Sequence, residues 1–63
     1  MLPHRYVLER RVARAMVLIE RGGMSLAQVA LEVGFSDQSQ MTKTFRACCG
    51  QTPGRVRRGL PRA

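Results

Sequence analysis

Apolar residues recur at helical spacing along the first third of the chain. Leu8, Val12, Ala15 and Ile19 follow one another at intervals of three and four, with Met16 beside them, and form one stripe on a helix. Arg10, Arg14 and Arg21 fall off that stripe. Nothing between His4 and Arg21 is glycine or proline. Pro3 suits the first turn, where a missing N–H costs nothing, and Gly22-Gly23 can adopt the left-handed conformation that ends a helix. The pattern predicts a long amphipathic helix over residues 3–22.

Ser25 and Gln28 form an S-x-x-Q capping box, which opens a second helix with Leu26, Val29, Ala30 and Val33 on its buried face. Gly34 ends it after about two turns. Ser36 is expected to cap a third helix, over 36–49, with Asp37 near the positive end of its dipole. On that helix Met41, Phe45 and Cys48 share the core face, Thr44 and Cys49 edge it, and Gly50 closes it. Cys48 is read as a small packing hydrophobe, and Tyr6 as core or helix-start packing. Thr52-Pro53 starts a short terminal turn over 52–58, and 59–63 reads as a frayed tail. No segment alternates as a strand would. The expected fold is all-α: a single three-helix, homeodomain-like helix-turn-helix bundle, with the helix-turn-helix at 25–49 and a short C-terminal helical turn.

Composition narrows what such a bundle can do. Its 63 residues, 44% of them hydrophobic, provide one small core; a chain this short buries only about 60% of its unfolded surface and should be marginally stable. One histidine (His4), four scattered acids and no nucleophile–base pair give acid–base catalysis nothing to use, so no enzyme, cofactor or metal site is expected. Adjacent Cys48 and Cys49 are neither a disulfide framework nor a metal motif. There is no apolar run long enough to span a membrane and no secretory signal after Met1, so a reduced, cytoplasmic setting is expected. Eleven cations against four acids leave +7 and a pI near 11.4, and every cation but Lys43 is arginine. That balance implies a polyanionic partner. The first helix has a narrow apolar stripe without Trp or Phe, which argues against a membrane surface and favours nucleic acid, with a solvated basic surface that binds nothing as the plain alternative.

On a helical wheel centred on Met41 and Phe45, the residues pointing outward are Ser39, Gln40, Lys43, Arg46 and Ala47, flanked by Gln38 and Thr42. Gln can pair with adenine in two places, Lys suits guanine, and Ser and Thr serve either, so Gln38, Ser39, Gln40, Thr42 and Lys43 are the candidate base readers. A polar face alone is what any surface helix carries. Here no acid follows Asp37, the preceding turn is tight, and the capped start at Ser36 offers backbone N–H groups to a phosphate. Ser36, Arg46, Arg55, Arg57 and Arg58 are the candidate phosphate contacts, and double-stranded DNA, read in its major groove, is the expected partner.

The run from Ser25 to Arg46, with its Gly34-Phe35-Ser36-Asp37-Gln38-Ser39 turn, and its continuation Gly50-Gln51-Thr52-Pro53, resembles the second helix-turn-helix of the AraC/XylS family of bacterial transcription regulators. Pro3, Tyr6, Arg11, Val12, Ala15, Leu18 and Ile19 resemble that family's linker helix. The resemblance covers nearly the whole chain and implies sequence-specific regulation of transcription. It puts Gln38, Ser39, Gln40, Thr42 and Lys43 on the recognition face, and Leu26, Val29, Ala30, Phe35, Met41 and Phe45 in the core. Val56 stands where the family usually has an aromatic residue. The family's first helix-turn-helix and its effector-binding and dimerisation domain are expected outside this segment, which should bind no small-molecule effector. The alternative reading is a protein-interaction fragment that binds RNA polymerase or the parent regulator through exposed Leu31 and the basic first helix, without reading DNA itself.

Overall fold

Four helices follow one another in residues 3–59, the part of the chain that the computed structural model describes: α1 (His4–Arg21), α2 (Leu26–Glu32), α3 (Gln38–Cys49) and α4 (Pro53–Gly59). Three contribute stripes to one core: Val12, Ala15 and Ile19 from α1, Val29 and Ala30 from α2, and Met41 and Phe45 from α3. Val33 and Phe35, in the turn after α2, close it. All of these are buried, and no polar or charged residue is buried with them among the described residues. Leu8 and Leu26, expected on buried faces, lie half-buried at the rim with Met16, Leu18, Met24 and Val56. Leu31 is exposed, as expected.

Local chemistry explains where the elements start and stop. The Ser25 hydroxyl accepts the Gln28 N–H at 3.1 Å, and the Gln28 side-chain oxygen accepts the Ser25 N–H at 3.3 Å, completing the capping box at α2. At its other end Phe35 N–H donates to the Ala30 carbonyl (2.9 Å) and Gly34 N–H to that of Leu31 (3.2 Å). This is a Schellman end, and it requires a left-handed residue at Gly34, whose φ is +102°. A Cβ there would also sit 3.1 Å from the Arg11 side chain, whose guanidinium lies over the Phe35 ring. The sharp turn that sets α3 against α2 is therefore fixed from both sides.

The structure corrects four expectations. α3 is capped by Asp37, not Ser36: Asp37 has extended backbone, and its Oδ1 accepts the Gln40 N–H at 2.8 Å. A carboxylate both satisfies the orphan amide and complements the dipole, so it is the stronger cap of the two neighbours. Cys48 is exposed rather than packed. It borders an open groove with His4, Arg5, Leu8, Glu9, Lys43, Thr44 and Ala47, where the polar start of α1 cannot wall off the end of α3. Tyr6 is 41% exposed, and its ring packs under the Arg10 guanidinium instead of into the core. The tail begins later than expected: the short terminal helix expected over 52–58 runs Pro53–Gly59, so Gly59, read as tail, is its last residue. The rest of the expected tail, 60–63, lies outside the described residues.

α4 is held from a distance. The Thr52 hydroxyl accepts the Arg55 N–H at 3.2 Å and caps the helix. Pro53 is buried, and Arg57 Nη2 donates to the carbonyl of Met24, in the α1–α2 connection, at 2.6 Å.

Candidate nucleic-acid interface

Met41 and Phe45 turn one side of α3 inward, so at about 100° per residue the opposite side is presented to solvent along the whole helix. Lys43 falls directly opposite the core. Gln38, Ser39, Thr42 and Lys43 line one shallow concavity that runs from the start of α3 toward this side, and all but the half-buried Thr42 are exposed. The depression is wide open, suited to an edge or a ridge of a partner and not to an enclosed ligand.

Gln40 does not line that concavity. Its side-chain Oε1 accepts the Ser36 N–H at 2.8 Å while its own N–H donates to Asp37. Ser36 therefore contributes neither the cap nor a free N–H. Helix geometry still leaves the first amides of α3, those of Gln38 and Ser39, without acceptors in the preceding turn. The Asp37-x-x-Gln40 spacing repeats that of Ser25-x-x-Gln28, so the signal for this second cap was in the sequence.

Of the candidate phosphate contacts, Arg46 on α3 and Arg55 and Arg58 on α4 are exposed. None of these, nor Lys43, pairs with a carboxylate: among the described residues the ion pair is Arg5–Glu9, at 3.4 Å on α1. Arg57 is half-buried and tied to Met24, a tether of high sequence separation with no local signal.

The remaining reactive groups sit apart from this face. Partial burial, and then the neighbouring Cys48, push the Cys49 thiol up from its ordinary value, which disfavours the reactive thiolate. No cluster of three His, Cys, Asp or Glu side chains among the described residues could hold a metal ion, and no described helix is long and apolar enough to cross a membrane.

Residues 1–59 match a protein family described as a helix-turn-helix domain. The chain is similar to the HTH-type transcriptional regulator ExsA of Pseudomonas aeruginosa, 40% identical over 57 residues that make up 90% of this chain and 20% of that protein. It is similar to the virulence regulon transcriptional activator VirF of Yersinia enterocolitica, 40% identical over 87% of this chain and 20% of the relative. The transcriptional activator RhrA of Rhizobium meliloti is 43% identical over 86% of this chain and 18% of its own length. The chain thus spans about a fifth of the length of the curated relatives it matches. No solved structure matches it significantly.

Proposed function

The chain belongs to the AraC-type helix-turn-helix family, and from that premise we propose that it binds double-stranded DNA with α3 in the major groove, as the sequence-reading module of a transcription regulator. The observation that carries this reading is the concavity that Gln38, Ser39, Thr42 and Lys43 share along α3, with Ser39 and Lys43 opposite the Met41–Phe45 core face and Gln38 and Thr42 flanking it. These side chains can reach base edges: Lys43 to guanine O6 or N7, Gln38 to adenine N6 and N7, and Ser39 and Thr42 to either kind of base. Arg46, Arg55 and Arg58 contact phosphates and set the register, helped by the free amides at the start of α3. Ser36 is adjacent to those amides and contributes through its exposed hydroxyl.

Competition between a selected duplex and random duplexes tests the assignment. Lys43→Ala and Gln38→Ala should each weaken binding to the selected site by about 1–3 kcal/mol. Gln38→Ala removes no charge and should leave random duplexes nearly unaffected. Equal losses on both duplexes would reduce α3 to a phosphate-bound brace.

A further inference from the structure

Gln40 is exposed on α3 and chemically capable of pairing with a base, yet the structure uses it twice for another purpose. Its backbone N–H donates to Asp37 Oδ1 and its side-chain oxygen accepts the Ser36 N–H, both at 2.8 Å. Together the two bonds clasp residues 36, 37 and 40 across the junction between the turn and the recognition helix. The second observation is angular. With Lys43 opposite the core, Gln40 points outward with Ala47 on one side of that direction, while Ser39, Thr42 and Arg46 lie on the other. Gln40 is correspondingly missing from the concavity that Gln38, Ser39, Thr42 and Lys43 share. To grip adenine with both ends of its amide, Gln40 would have to turn its oxygen away from the Ser36 N–H, leaving that donor without a protein partner at the moment the helix entry must be rigid.

We infer that Gln40 is a positioning residue rather than a base reader: it locks the entry angle of α3 through Ser36 and so sets where Gln38 and Ser39 meet the groove. The inference rests on the DNA-binding reading for its consequence, though the clasp itself is a property of the free chain. Base preference then belongs to the Gln38–Ser39–Thr42–Lys43 group, and Gln40 supplies affinity uniformly by preorganising it.

Two measurements on the 63-residue chain test this, with Gln40→Ala and Gln40→Glu. The first is hydrogen exchange at the Ser36 amide. It should quicken roughly fivefold to tenfold in Gln40→Ala, the loss of one ordinary hydrogen bond, and stay near the parent rate in Gln40→Glu, which keeps an acceptor. The second is a binding selection over randomised duplexes. Gln40→Ala should lower affinity for all sequences by a common factor and leave their ranking unchanged. An unchanged Ser36 exchange rate in Gln40→Ala overturns the inference, and so does a ranking that changes at one base position. Failure of the DNA-reading assignment looks different: Gln38→Ala and Lys43→Ala would then leave the ranking intact, whatever happens at Ser36.

Discussion

Phe45 is the largest of the fully buried side chains and sits among stripes from α1, α2 and α3. Truncating such an aromatic leaves a cavity that a small bundle cannot refill, so Phe45→Ala should cost about 3–5 kcal/mol. That approaches the whole stability of a domain at the low end of the usual 5–15 kcal/mol, roughly where a chain this short belongs. A thermal melt should show the variant largely unfolded near 37 °C; a midpoint within a few degrees of the parent would remove Phe45 from the centre of the core. Phe45 was legible because a period of 3.6 residues reports which face of a helix turns inward. Cys48 lies on nearly the same face and is nonetheless exposed. Periodicity says where a side chain points, not whether a neighbouring element extends far enough to cover it, and the α1 residues opposite Cys48 include His4, Arg5 and Glu9.

Helix ends and the docking of α4 show the same division between local and distant causes. The capping box at Ser25 and the stop at Gly34 depend only on residues within one turn, and both were readable from spacing. At α3 two adjacent good caps, Ser36 and Asp37, competed, and the choice turned on backbone direction and on the carboxylate's attraction to the dipole. For α4, Thr52-Pro53 announced the start, but the Arg57–Met24 bond that fastens it spans 33 residues and left no pattern to read. That bond carries its own expectation. Arg57→Ala strips a charged donor from a partly buried carbonyl and should cost about 1–3 kcal/mol, with amides of α4 losing exchange protection before those of α3. A melt and exchange profile matching the parent would show the tether to be dispensable, leaving Arg57 free to contact phosphate beside Arg55 and Arg58.

Charge is distributed unevenly over the elongated molecule, about 41 × 20 × 18 Å in extent. All four acids, Glu9, Glu20, Glu32 and Asp37, occur at or before the cap of α3, whereas Lys43, Arg46, Arg55, Arg57 and Arg58 follow it. Glu9, beside Lys43 across the groove between α1 and α3, already engages Arg5, and no acid lies within α3 or α4 themselves. A DNA duplex laid on the α3–α4 face would exchange condensed counterions for Lys43, Arg46, Arg55 and Arg58. With about four phosphates neutralised, log K should fall against log salt with a slope near −4. Lys43 is shared between this count and base reading, so Lys43→Ala should flatten the slope by about one, whereas Gln38→Ala should leave it unchanged. The protein-interaction alternative makes a different demand, because contacts through exposed Leu31 would bury apolar area, and those through the basic α1 would release no condensed DNA counterions, so the steep log–log salt law of a duplex is not expected. Titrating a fixed duplex between roughly 50 and 200 mM salt separates them: a slope near −4 is a fall in affinity of a few hundredfold across that range. A slope shallower than about −2 would mean that no more than two of these four cations meet phosphates, and the α3–α4 face would lose its standing as the DNA-binding side.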